Sequence, residues 1–256
     1  MTSPSPAPLS MILRPPTLAL LALQLADHWG NRHTPRPHPR AEVLTATLLG
    51  ALATSGDSPA PQRDREEEES SGHARAACAG EPEWAEAIAR ATACGRYVGF
   101  LVSECISAFV AAHHHGEHEA FLAEQESWRQ RLRAELAGEP RYAQVFRAPD
   151  SDCNPAIVHL CQALARHLAV DGAEVARFTG LPQLPVEATL EVRRIGMAAY
   201  RLWPWPFLGR RLTVRAEAER DANRSAGNPE EVPPSPGGVI RSSLAWTLLA
   251  PSTPAD

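Results

Sequence analysis

Apolar residues recur every three or four positions through the first two thirds of the chain and every second position in much of the last third. Those two periods predict helices followed by strands. After Pro15-Pro16, Thr17 is placed to cap a helix running to about Trp29, and a second helix covers roughly Arg40 to Thr54. Helical spacing resumes over Pro82 to Ala93 and over Tyr97 to Ala112, where Phe100, Leu101, Ile106 and Phe109 share a broad apolar face. From Glu117 to Leu136, the spacing sets Phe121, Leu122, Gln125, Trp128, Leu132 and Leu136 on one face and lets Arg131 pair with Glu135 on the wet side. Asn154 as cap and Pro155 at the first helical position then open a helix through Ile157, Val158, Cys161, Leu164 and Leu168 that Gly172 stops.

Leu190-Val192, Leu212-Val214-Ala216 and Leu244-Trp246-Leu248 alternate as half-buried strands do. They predict a small C-terminal antiparallel β-sheet packed on the helices. The prolines of Leu202-Trp203-Pro204-Trp205-Pro206-Phe207 forbid helix, and its three large rings read as a buried extended plug joining sheet to helices. The expected fold class is therefore mainly α, a helical bundle with a small antiparallel sheet, α+β overall. Residues 1–10 are rich in Pro and Ser and are expected to be disordered, with Met11 as an alternative start of translation. Two stretches, about 57–81 with its block Glu66-Glu67-Glu68-Glu69 and about 223–238, hold too little apolar surface to offset the entropy of ordering them and read as flexible insertions. Residues 252–256 read as a disordered tail, which leaves 11–251 as a single domain.

Composition narrows the function classes. Apolar residues make up 44% of the 256, enough for a real core. A net charge of -5 leaves no basic footprint for a phosphate backbone, so nucleic acid is not an expected partner. The apolar run Leu18 to Ala26 falls far short of the roughly 20 residues that span a bilayer, and Gln24 stands where a secretory leader needs a small residue. It reads as a buried helix, and no membrane association is expected. Five cysteines, Cys78, Cys94, Cys105, Cys153 and Cys161, are odd in number and form no CxxC pair, which points to a reducing cytoplasm rather than a disulfide framework or zinc ribbon.

Six landmarks follow one another from Met11 to about Pro251: Met11-Ile12-Leu13-Arg14, Leu25-Ala26-Asp27-His28-Trp29-Gly30-Asn31, Arg96-Tyr97-Val98-Gly99-Phe100-Leu101-Val102-Ser103, Ala120-Phe121-Leu122-Ala123-Glu124-Gln125-Glu126, Trp203-Pro204-Trp205-Pro206-Phe207 and Leu244-Ala245-Trp246-Thr247-Leu248. In that order they resemble a bacterial family, domain of unknown function 3891 (DUF3891). Typical members carry a His near the first helix, a His-Asp-Asp-Gly-Trp run after the second, a Ser-Arg-His in the middle and an Asp in a late helix. The resemblance implies a helical bundle like the core of a histidine-aspartate phosphohydrolase, in which imidazoles and carboxylates from several helices hold one or two cations and activate water.

Here the corresponding positions are Leu18, Gly50 and Ala51, Cys105 after Ser103-Glu104, and Gln162. Leucine, glycine and alanine have no electron pair to donate, so the resemblance implies a degenerate metal site. No catalytic, cofactor-binding or metal-ligating residue is assigned, and no cofactor is expected.

Other chemistry-bearing residues have plain readings. His113-His114-His115-Gly116-Glu117-His118 offers metal-binding atoms, with His114 and His118 four apart, but Gly116 interrupts the helix that would align them, so the run reads as a solvated connection. Ser103 sits in an apolar helix without the Gly-x-Ser-x-Gly elbow, and its hydroxyl is expected on the helix backbone. Cys105 reads as a small core residue. Gly237-Gly238 lacks the spacing of a phosphate loop. The chain is thus expected to be a non-catalytic binding or scaffold domain, with a protein partner and an apolar pocket where the ligands would have been. The alternative is a metal-dependent hydrolase with a relocated site, drawing on His28, His113 to His118, Cys105 or Asp152, which requires several of them to converge.

Overall fold

Six helices and then five strands follow in chain order among the residues that the computed structural model describes, which are 13–55, 80–114, 116–147, 153–170, 174–180, 189–221 and 239–251. The helices are α1 (Pro15–His28), α2 (Arg40–Thr54), α3 (Glu81–Cys94), α4 (Arg96–His113), α5 (Glu119–Ala137) and α6 (Asn154–Ala169). The strands are β1 (Val175–Thr179), β2 (Thr189–Gly196), β3 (Ala199–Trp203), β4 (Arg211–Asp221) and β5 (Val239–Leu249). The expected terminal segments, the insertion expected over about 57–81 as far as residue 79 and the loop over 223–238 lie outside the described residues, as do Gly172 and Gly237-Gly238, whereas Gly80 and Glu81 already cap and open α3.

Helix ends differ from the sequence reading for local reasons. Thr17 does not cap α1: Pro15 and Pro16 already fill its first positions, where a missing N–H is not needed. Asn154 lies inside α6 rather than before it, and its amide donates instead to His38 O (2.7 Å) and the Tyr97 hydroxyl (2.6 Å), tying α6 to the loop before α2 and to α4. The helix ends at Ala169, with Val170 already extended. On α5, Glu135 turns to Arg96 (3.2 Å) and Arg131 to Ser127 (3.2 Å), so the expected Arg131–Glu135 pair gives way to other partners.

The sheet is larger than the alternation suggests, and it is mixed. Its order is β1-β2-β3-β5-β4, antiparallel except where β3 lies parallel to β5. After β3 the chain leaves the sheet: Phe207 bridges to Trp29 at the end of α1, and the backbone N–H of Gly30 donates to Pro206 O at 2.8 Å. Only then does β4 form, and β5 returns between β3 and β4, which makes one pairing parallel. Phe207 is buried edge-on to Trp29 and Trp205 is half-buried, but Trp203 is 64% exposed, so the aromatic segment is a plug at one end only.

Two apolar clusters result. One joins α1 and α6 to the inward face of the sheet (Leu190, Val192, Leu202, Val214 and Leu248 among others), and the second lies among α2, α3, α4 and α5. Gln24 of α1 pairs with the outer strand β4, donating to Arg215 O at 2.8 Å and accepting from Arg215 N–H at 3.0 Å, so it caps an exposed sheet edge as another strand would. Among the described residues no helix is long and apolar enough to cross a membrane.

Candidate functional site

The two clusters meet where α2, α4 and α6 cross, and three of the five positions that the resemblance sets against family ligands, Gly50, Cys105 and Gln162, meet there too. The Cys105 thiol donates to Gln162 Oε1 at 2.8 Å, and Gln162 Nε2 donates to Thr47 O at 3.2 Å. A Cβ added to Gly50 would sit 2.8 Å from Gln162 Nε2 and 3.0 Å from Cys105 Sγ, so glycine is what lets the three helices close on one another. Ala51 packs in the cluster of α1, α6 and the sheet, and Leu18 is half-buried on α1.

The junction does not suit a cation. Its only heteroatoms from the five positions are a thiol and an amide, already bonded to each other. Burial pushes the Cys105 thiol up to about 11, so it stays protonated near neutral pH and is a poor nucleophile. Burial likewise raises Cys161 on α6. Alkylation of the native protein is therefore expected to modify exposed Cys94 first and to leave Cys105 and Cys161 unmodified until denaturant is added, as peptide mapping would show. Early modification of Cys105 would mean that the junction opens.

Beside the junction a cleft of about 310 Å³ lies between α4, α6 and β1. Its lining is mixed rather than apolar as expected: Cys105, Gln162, His159, Arg166 and Arg177 contribute polar groups beside Phe109 and Phe178. Arg166 Nη1 reaches Thr54 Oγ1 only at 3.4 Å, and burial lowers its pKa. Burial also lowers His159, which favours the neutral imidazole. Arg177 is shared with Glu191 at 3.1 Å. No carboxylate belongs to the described lining.

The remaining candidates fall elsewhere. His28 holds Gln24 O at the end of α1, and Cys105 lies nine residues before His114, about 13 Å along the helical rise. Asp152 lies outside the described residues. His113 lines the cleft with Cys105, eight residues on along α4, but among the described residues His28, Cys105 and the turn from His114 to His118 do not gather at one point. Ser103 does not bond the helix backbone as expected; its hydroxyl donates to Gln125 Oε1 at 3.0 Å and accepts from Arg129 at 2.9 Å, bridging α4 to α5. Arg129 itself, buried on α5, is not singled out by the spacing.

One grouping does form. Gly116 breaks the helix as expected, but the turn it makes brings His114, Glu117 and His118 together, with a donor atom from each within 4.8 Å of the others. His118 Nδ1 lies 2.7 Å from Glu81 Oε1 in the first turn of α3.

No curated protein and no solved structure matches the chain. The profile of a family described as "Protein of unknown function (DUF3891)" matches residues 79–220, rather more than half of the sequence. That match runs from the start of α3 into β4 and contains Cys105 and Gln162, while Leu18, Gly50 and Ala51 precede it.

Proposed function

The chain belongs to the DUF3891 family, and from this we propose that it is a non-catalytic binding domain, a bundle of histidine-aspartate phosphohydrolase type in which side-chain packing has replaced the metal ligands. The observation that carries the reading is the meeting of Gly50, Cys105 and Gln162 from three helices, without an anionic or imidazole donor among them. Residues 11–251 form one domain in this reading; Gln24 and the Trp29–Phe207 contact, which tie α1 to the sheet, support it. A reducing cytoplasm is part of the proposal and accords with free thiols at Cys94, Cys105 and Cys161.

What the domain binds is a small anion, held in the cleft by Arg166. A guanidinium partly withdrawn from water, with no carboxylate among the described residues of the cleft, gains more from an anion than an exposed one does. Inorganic phosphate is the probe. It is expected to raise the unfolding temperature of the wild-type protein, and Arg166→Gln is expected to remove that rise. The same preparations carrying His114→Ala and His118→Ala are expected to hold no stoichiometric iron, manganese or zinc and to show no metal-dependent phosphoester hydrolysis. Metal retained at one equivalent in that double variant would overturn the non-catalytic reading, and a phosphate response unchanged by Arg166→Gln would overturn the role of the cleft.

A further inference from the structure

We propose that His114, Glu117 and His118 bind one divalent transition cation in the turn between α4 and α5. Gly116, at φ +78°, lets the chain reverse there, and the Glu117 N–H donates to His114 O at 3.2 Å, which fixes the turn. Two imidazole nitrogens and one carboxylate oxygen then lie within 4.8 Å of one another. Two imidazoles and a carboxylate suit zinc and its first-row neighbours and leave one or more coordination positions to water.

A second observation, independent of that grouping, comes from α3. Glu81 sits with Oε1 2.7 Å from His118 Nδ1. A carboxylate on Nδ1 keeps the ring proton there and leaves the Nε2 electron pair available, the arrangement that orients and strengthens metal-bound histidines. Trp84, buried on the same helix, presents edge contacts to both imidazoles, with ring centroids 5.2 Å from His114 and 5.1 Å from His118. The rings are thus positioned by packing, so less ordering entropy remains to oppose binding. Because Glu81 and Trp84 belong to α3 and the ligands to the α4–α5 turn, a bound cation fastens three helices of one layer together. The site shares no residue with the α2–α4–α6 junction, and it stands whether or not the reading of that junction does.

The test is a calorimetric titration of Zn2+ into the full chain, prepared without an affinity tag and stripped with a chelator. One equivalent is expected to bind and to raise the unfolding temperature. Glu117→Gln changes only an exposed side chain and is expected to weaken binding at least tenfold, while His118→Ala abolishes it. Glu81→Gln leaves all three ligands in place and is expected to weaken binding about 10–100-fold, the effect of losing a carboxylate that orients a ligand. Circular dichroism and metal-free unfolding temperatures matching wild type show that each variant folds. Absence of binding by wild type, or an equivalent of zinc unaffected by both Glu117→Gln and His118→Ala, would overturn the site and leave an adventitious ion only. Wild-type affinity in Glu81→Gln would overturn the orienting role of α3.

Discussion

Arg129→Met is expected to lower the unfolding free energy by about 1–3 kcal/mol, the usual cost of leaving buried polar groups without their partner. The Arg129 side chain is 7% exposed and turns from α5 into the face of α4. Nη1 donates to the hydroxyls of Ser103 (2.9 Å) and Ser107 (2.7 Å), and Nη2 to Glu126 (2.7 Å). Nε lies 3.3 Å from Glu104 Oε1, close enough for charge attraction though not aligned as a hydrogen bond. Methionine replaces part of the apolar stem but none of the donors. The Ser107 hydroxyl loses this partner, and the half-buried Glu104 loses the positive charge beside it. Denaturant midpoints measure the difference; a loss under about 1 kcal/mol would place the network with exposed ion pairs instead.

The size of that loss depends on pH, and the two carboxylates act through opposite shifts. Burial holds Glu104 above the ordinary carboxylate range, with Arg129 pulling it part of the way back. Keeping it ionised therefore costs stability above its folded pKa, and the cost disappears as pH falls through that value. Hydrogen bonds from Arg129 and Gln130 hold Glu126 below the range, so its contribution is present above the unfolded pKa and is lost as pH falls through the folded one. Removing Arg129 raises both groups. The deficit of Arg129→Met is then fully developed at neutral pH and shrinks on acidification through the carboxylate range, about pH 4. A deficit that grows on acidification would contradict this assignment of charges.

How much of the fold is legible in the sequence depends on how local each cause is. Phe100, Leu101, Ile106 and Phe109 all prove buried, and so do Leu190, Val192, Leu212, Val214, Trp246 and Leu248, because helical spacing and strand alternation are read within a few residues. β1 escapes the pattern because it lies at the sheet edge with its residues half-exposed or exposed, which leaves no clear alternation. β3 alternates through Tyr200 and Leu202, but it is short and runs directly into Trp203-Pro204. Its parallel partner β5 lies more than 40 residues further along, out of reach of any local pattern.

Sites follow the same logic. Cys105 and Gln162 are 57 residues apart, and neither suggests chemistry alone; only the family resemblance names them together with Gly50. The His114–Glu117–His118 group is visible in the sequence but reads there as a solvated connection, because four-residue spacing aligns two rings only on a continuous helix, whereas here a turn supplies the geometry and Trp84 the support. For Arg129 a signal is present. Ser103 and Ser107 stand one helical turn apart on an otherwise apolar face, and two buried hydroxyls in that arrangement call for a polar partner from a neighbouring helix.

Gly99→Val is expected to cost more than about 3 kcal/mol, and Gly99→Ala about 1–3 kcal/mol, as overpacking of a closed interface does. The sign is informative, because helix propensity alone favours alanine over glycine by about 1 kcal/mol inside a helix. A single residue, Gly95, joins α3 to α4, so the last turn of α3 crosses the first turn of α4 at close range. A Cβ on Gly99 would come within 2.9 Å of Thr92 Cα, which is backbone and cannot rotate aside. The Thr92 hydroxyl is fixed as well, donating to Ile88 O at 2.8 Å. Thr92→Ala combined with Gly99→Ala removes the hydroxyl clash and leaves the clash with the residue 92 backbone, so a double-mutant cycle is expected to recover part of the loss and not all of it. Because α3 also carries Glu81 and Trp84, forcing the two helices apart is expected to weaken zinc binding at the α4–α5 turn in proportion. Thermal unfolding in which Gly99→Ala equals or exceeds wild type would show that propensity outweighs steric overlap and that the crossing is looser than the backbone distance implies.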